Sequence, residues 1–190
     1  MTEKEDPRIT RTRESIRNSF KDMICRMDYE KITVKELTEL AGINRKTFYL
    51  HYSSLDELLQ EMQKKMVEDF IKRTADLNRP RDLDKITREF FLNSEDVGKL
   101  GERLICNDNY HYINQRIVGE TMSRAWESDS LGTDNEYVRN IIMTYVSEST
   151  LAIYKQWVLD GRKIPIEDII TIAARLICEG INGLSESHHQ

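Results

Sequence analysis

Proline is scarce in this sequence, with only three residues among 190, at positions 7, 80 and 165. None of the three interrupts a long periodic stretch, so each one marks a boundary between helical segments. No run of 18 uncharged apolar residues occurs, and the first residues are charged where a signal peptide is apolar. The sequence therefore argues against a membrane or exported protein, and we expect a cytoplasmic one.

Cysteine is also rare, and its three positions, Cys25, Cys106 and Cys178, are far apart. An odd number of cysteines, each within an apolar helical pattern, favours reduced and packed thiols over a disulfide framework. The sequence also lacks a phosphate-binding glycine loop, a Gly-x-Ser-x-Gly elbow and a His-Glu-x-x-His zinc motif. We therefore expect no enzyme activity, no metal site and no cofactor.

Apolar residues at spacings of three and four run along most of the chain, and this periodicity predicts an all-α protein. No alternating pattern of useful length indicates β-strands. The predicted longer helices cover residues 9–27, 55–77, 83–92, 97–106, 112–127, 137–159 and 166–184.

Basic residues are unevenly distributed along the chain. The net charge is −5 for the whole sequence. Residues 1–60 carry equal numbers of basic and acidic side chains, so the whole excess of negative charge lies in residues 61–190. A body that is acidic on its own does not prevent the first 60 residues from binding nucleic-acid phosphates.

Three helix starts are indicated within residues 31–59. Thr33 with Glu36 forms a capping box, Asn44 offers a second cap, and Ser54 with Glu57 forms another box. Gly42, between the first two starts, suits a left-handed helix end. This order of helix, glycine turn and helix predicts a helix-turn-helix within a three-helix head of residues 1–60, followed by a helical body of residues 61–190.

The second helix of that motif can bind DNA if its outer face is polar. With Phe48 in the core, Arg45 has the fork geometry that reads guanine, and it is the first candidate for base contact. The other candidates have charged or hydrogen-bonding side chains suited to bases or phosphates: Thr33, Lys46, Thr47, Tyr49 and His51. An ordinary three-helix core with a charged outer face remains the alternative.

The run from Gly42 to Tyr52, with Asp56 to Leu59 after it, resembles the signature of the tetracycline-repressor (TetR) family of transcription regulators. The resemblance covers roughly residues 10–59 and implies that the candidate residues contact double-stranded DNA. It also implies an all-α regulatory body, a homodimer and usually an inducer pocket. The family often has a lysine that opens the fourth helix. Leu55 stands there in this sequence, so Ser54 is a candidate for that phosphate contact.

The last two long helices are apolar on several faces, which indicates burial against a second copy as well as the chain's own core. The predicted dimer interface contains Tyr145, Ala173, Ile177 and Gly180. A ligand pocket is also conceivable, although aromatic side chains at helical spacing are more often core. Its candidate lining is Tyr110, Trp126, Tyr145 and Tyr154.

One short recognition helix touches few base pairs, so useful specificity requires two heads on an inverted-repeat operator. We therefore expect a dimeric repressor that is released by an effector, either a small molecule or a protein. The alternative is a helical interaction module, or co-regulator, that acts through a protein partner.

Overall fold

The computed structural model describes residues 6–78, 81–106 and 135–185, with side chains up to residue 180. This part of the chain is helical and contains no strand, so the predicted all-α class is confirmed. Its α-helices are α1 (Pro7–Arg26), α2 (Val34–Ala41), α3 (Arg45–His51), α4 (Leu55–Arg73), α5 (Leu83–Val97), α6 (Lys99–Cys106), α7 (Glu136–Leu159) and α8 (Ile166–Ser185). The helix predicted for residues 112–127 lies outside the described residues.

Two compact units make up the chain, Met1–Lys65 and Met66–Gln190. The boundary between them falls inside α4, a few residues after the position expected from the sequence.

The first unit is a small helical domain with its own core. Its helix α1 is capped by Asp6, whose carboxylate accepts a hydrogen bond from the Arg8 backbone N–H at 2.9 Å, and Pro7 lies in the first turn. The core side chains are large and apolar and come from all four helices, so each helix contributes to burying the others. They include Ile16, Phe20 and Ile24 of α1, Leu37 of α2, Phe48 of α3, and Leu58 and Leu59 of α4.

The second unit packs α5 against α8 and against α6, and α7 against both α6 and α8. One cluster of its core contains Phe70, Ile86 and Ile142, and another contains Phe91, Tyr154 and Trp157. Arg88 of α5 and Glu167 of α8 form a two-pronged ion pair on its surface.

Helix α5 is longer than the sequence predicted, because it continues past Leu92 to Val97. Asn93 and Ser94, which follow Leu92, are buried inside the helix, and the Ser94 hydroxyl donates to the Phe90 carbonyl at 2.8 Å. The helix ends only at Gly98, whose φ of 64° favours glycine. Helix α4 is shorter than the sequence predicted. It ends at Arg73, and a turn follows in place of its predicted last residues.

Candidate nucleic-acid interface

The turn between α2 and α3 has the geometry that the sequence predicted. Gly42 has a φ of 68°, a conformation that costs little only for glycine. Its N–H donates to the Glu39 carbonyl at 3.3 Å, while the Ile43 N–H donates to the Thr38 carbonyl at 3.0 Å, which is a Schellman ending. The Ser15 hydroxyl of α1 donates to the Ala41 carbonyl at 2.9 Å, so the first helix also fixes this turn.

Thr33 and Thr47 both take part in helix caps. The Thr33 hydroxyl accepts from the Glu36 N–H at 3.2 Å and donates to the Glu36 carboxylate at 2.7 Å. Asn44 Oδ1 accepts from both the backbone N–H and the hydroxyl of Thr47, at 2.8 and 3.1 Å. The predicted caps of α2 and α3 are therefore present, and each threonine hydroxyl has an acceptor inside the protein.

Helix α3 exposes a well-defined outer face. Phe48 is completely buried, and Lys46 and Leu50 lie two residues before and after it. At about 100° per residue, these two side chains point almost directly away from the core and are neighbours on the helix surface.

The flanks of that face carry the remaining candidates. Arg45 and Tyr49 are four residues apart on one flank, and both are exposed. Thr47 and His51 are four residues apart on the other, and both are half-buried. Arg45 and Lys46 form no ion pair with any residue that the structure describes, so their charges are available to a polyanion. The structure thus brings together every candidate of α3.

A carboxylate that the sequence analysis missed braces the recognition helix. The residue that follows α3, Tyr52, is buried, and its hydroxyl donates to Glu61 of α4 at 3.1 Å. Arg13 and Arg17 of α1 donate to the same carboxylate at 2.6 and 3.0 Å. The Arg13 guanidinium also lies over the Tyr52 ring, 5.7 Å from its centre. These contacts join α1, the end of α3 and α4, and fix the direction in which α3 points.

Ser54 lies at the start of α4, as predicted. Its hydroxyl accepts from the Glu57 N–H at 3.1 Å, which is one half of the expected capping box. The other half differs, because the Glu57 carboxylate accepts from the backbone N–H and the hydroxyl of Ser53, at 2.6 and 2.7 Å. These hydrogen bonds lower the pKa of Glu57. A carboxylate therefore lies close to the site where Ser54 would meet a phosphate.

Two of the candidate ligand residues, Tyr145 and Tyr154, lie within the described part of the chain. Tyr154 is completely buried, and its hydroxyl donates to Glu95 at 2.8 Å. Burial, followed by the hydrogen bond to Glu95, raises the pKa of Tyr154 well above its usual value. The rings of Phe90, Phe91 and Trp157 surround it, so Tyr154 belongs to a filled aromatic core. Tyr110 and Trp126 lie outside the described residues.

Two of the predicted interface residues require correction. Ala173 and Ile177 are completely buried within the chain, in the two core clusters of the second unit. Neither side chain is available to a second copy, because both lie on the side of α8 that packs against α5 and α7.

Tyr145 and Gly180 do lie at the surface of the second unit. The Tyr145 hydroxyl donates to the Leu176 carbonyl at 3.1 Å. A Cβ atom at position 180 would lie only 2.5 Å from the Tyr145 oxygen, so glycine there allows the tyrosine to rest on α8.

No helix in the described ranges is long and apolar enough to cross a membrane. Likewise, residues 6–78, 81–106 and 135–185 bring together no group of three metal-ligating side chains. The three cysteines are free and half-buried.

Residues 24–62 match the family model for bacterial regulatory proteins of the tetR family. The chain is also 36% identical over 78 residues to an uncharacterised helix-turn-helix transcriptional regulator, YxbF, from Bacillus subtilis strain 168. This match covers 40% of the present chain and 20% of the relative. The match to the family model therefore concerns the helix-turn-helix region.

Solved structures extend the similarity to the whole fold. A TetR transcriptional regulator from Streptococcus agalactiae 2603V superposes with a TM-score of 0.67 at 21% identity, over 90% of this chain and 95% of that one. The transcriptional regulator FadR from Bacillus subtilis, solved in complex with stearoyl-CoA, gives a TM-score of 0.62 at 15% identity, over 86% and 96% of the two chains. At these identities the likeness establishes the fold.

Proposed function

We propose that this chain, whose residues 24–62 match the model for bacterial regulatory proteins of the tetR family, is a member of that family and a sequence-specific DNA-binding regulator of transcription. We propose further that it acts as a dimeric repressor on an inverted-repeat operator, that an effector releases it, and that it has no catalytic activity.

The outer face of α3 is the observation that carries this proposal. Arg45 and Lys46 are exposed on a helix whose opposite side, at Phe48, is completely buried. A short helix braced in this way can enter a major groove without rearranging the core. Arg45 is assigned to a guanine edge and Lys46 to a base or phosphate nearby.

Phosphate contacts are assigned to the residues around this face. Tyr49 is exposed beside Arg45, and its hydroxyl is suited to a phosphate oxygen. His51 and Ser54 are assigned the same role at the far end of α3. Thr33 and Thr47 are also assigned to the interface. On binding, each hydroxyl would donate to a phosphate or a base in place of its present acceptor, Glu36 for Thr33 and Asn44 for Thr47.

Exposed apolar residues of the second unit support the dimer. Tyr137, Ile141 and Tyr145 recur every four residues on α7 and form one exposed stripe. Ile172 and Leu176 form a second stripe on α8, followed by Gly180, and the hydrogen bond from Tyr145 to the Leu176 carbonyl joins the two. A second copy of the chain, related by a two-fold axis, would cover this surface with the same residues. The interface is thus proposed at Tyr145, Leu176 and Gly180.

The proposed effector is a small molecule or a protein. The FadR structure contains stearoyl-CoA, and that ligand belongs to that protein. In the present chain the aromatic cluster at Tyr154 is filled by its own side chains.

A protein-interaction module is the second candidate, and two exposed leucines favour it. Leu40 on α2 and Leu50 on α3 are both large, apolar and at least half exposed. Docking of a partner protein on this surface would also use Lys46 and Arg45 as rim charges.

Selection of duplexes from a random-sequence library by the purified full chain separates these candidates. A DNA regulator enriches one inverted-repeat sequence, which then binds at least about 10³-fold more tightly than unrelated DNA at physiological salt. Random DNA that binds as well as the selected pool would contradict the proposal. Competition at several salt concentrations distinguishes specific binding from phosphate attraction alone.

A further inference from the structure

Leu50 is an apolar residue at the most prominent position of the recognition helix. Its side chain is 76% exposed, and it points almost directly away from the buried Phe48. The polar face of a surface helix normally carries charged or hydrogen-bonding residues at such a position. Exposure of a complete leucine side chain to water is unfavourable, so contact with an apolar group would stabilise it.

The surroundings of Leu50 favour DNA over a protein as the covering molecule. Lys46 lies four residues before it on the same face, and Arg45 and Tyr49 lie along one flank. Neither basic side chain pairs with a described residue of the chain, so the leucine is framed by unpaired positive charge. Charge of this sign matches the phosphate rows on either side of a major groove.

Only one base presents an apolar group in that groove, since thymine carries a methyl group at C5. We propose that Leu50 contacts a thymine methyl group and that it determines the preference for thymine at one position of each half-site. This inference rests on the proposed function. It adds a specificity-determining residue that makes no hydrogen bond and therefore recognises the base by its methyl group alone.

Replacement of thymine by deoxyuridine tests the contact, because it removes the methyl group and leaves base pairing unchanged. The probe is the duplex that the full chain selects from a random library, with each thymine replaced in turn. We expect one thymine per half-site at which the replacement weakens wild-type binding about fourfold, the effect of one buried methyl group. All other thymines should show smaller effects.

The variant Leu50→Ala should no longer distinguish thymine from deoxyuridine at that position. Leu40→Ala is the matched control, because Leu40 is also an exposed leucine of the first unit but lies on α2. It should keep the wild-type discrimination. Both leucines are exposed, so both variants should fold, and far-UV circular dichroism checks this.

The possible results separate the two proposals. If no sequence is enriched, the proposed function fails and the inference fails with it. If a sequence is enriched but Leu50→Ala discriminates against deoxyuridine as wild type does, the inference alone is overturned. A change in oligomeric state on Leu50→Ala would also overturn it, because a second copy would then cover the residue. The wild-type measurement needs no variant, and the absence of any thymine at which deoxyuridine weakens binding would overturn the inference even if Leu50→Ala misfolds.

Discussion

The carboxylate of Glu61 lies 2.6 Å from the guanidinium of Arg13, a pairing that joins the fourth helix to the first. Arg17 and Tyr52 donate to the other oxygen of the same carboxylate, so one acidic side chain organises three helix segments. Partial burial acts to raise the pKa of Glu61, but the hydrogen bonds from Arg17, Arg13 and Tyr52 outweigh it and hold the pKa below its ordinary value.

The first prediction is a loss of stability on Glu61→Gln. Removal of the charge weakens the hydrogen bonds to two guanidinium groups. We expect the free energy of unfolding to fall by about 1–2 kcal/mol at neutral pH, because the site is only partly buried. Urea unfolding measures this change. Asp22→Asn is the control, because Asp22 pairs with Arg26 on the exposed surface and should change stability by less than about 0.5 kcal/mol.

Glu61→Gln should also change how the stability of the protein depends on pH. A carboxyl group whose folded pKa is lowered stabilises the protein above its ordinary pKa of 4.5, and this contribution is lost as the pH falls through the folded value. The thermal midpoint of wild type should therefore fall more steeply below about pH 4.5 than that of Glu61→Gln. Parallel curves for the two proteins would contradict this role of Glu61.

Local sequence rules predicted the helix-turn-helix well, because each signal involves residues within a few positions of one another. The caps at Thr33 and Asn44 and the left-handed Gly42 all depend on such short spacings. Glu61 was missed because its partners Arg13 and Arg17 are more than 40 residues away, and no local pattern shows which charges will meet.

The helices of the body illustrate a second limit. Apolar periodicity indicated that α8 is buried on several sides, but it does not distinguish the chain's own core from a partner. Ala173 and Ile177 belong to the core, while Leu176, next to Ile177, is exposed. The packing of α5 and α7 against α8 decides which side of α8 faces inwards.

The second prediction concerns Gln63, which is buried although neither polar atom of its amide has a hydrogen-bond partner among the described residues. A buried amide without partners is destabilising, and methionine has a similar length without polar groups. We expect Gln63→Met to raise the free energy of unfolding by about 1–2 kcal/mol. Gln60→Met on the exposed side of α4 is the control and should have little effect. A destabilised Gln63→Met protein would show that the amide has a partner.

The third prediction separates base reading from phosphate contact. Arg45→Ala should lose about 1–3 kcal/mol of affinity for the selected duplex and relax the preference at one base position per half-site. Tyr49→Phe should weaken binding to selected and random duplexes by similar factors, because a phosphate contact carries no sequence information. Fluorescence anisotropy on both duplexes measures these effects. Equal losses on both for Arg45→Ala would make Arg45 a phosphate contact only.

The last prediction concerns the dimer. Leu176 is 57% exposed in the middle of the stripe on α8, so Leu176→Arg places two like charges near each other across a two-fold axis without disturbing the core. We expect a folded monomer at micromolar concentration by light scattering. Thr171→Arg adds the same charge to an exposed position of α8 away from the stripe and should remain dimeric.

The monomeric variant should bind the inverted repeat far more weakly than any single DNA-contact variant, because each head alone touches one half-site. A folded Leu176→Arg dimer would place the interface elsewhere, and a monomer with wild-type operator affinity would contradict binding by two heads.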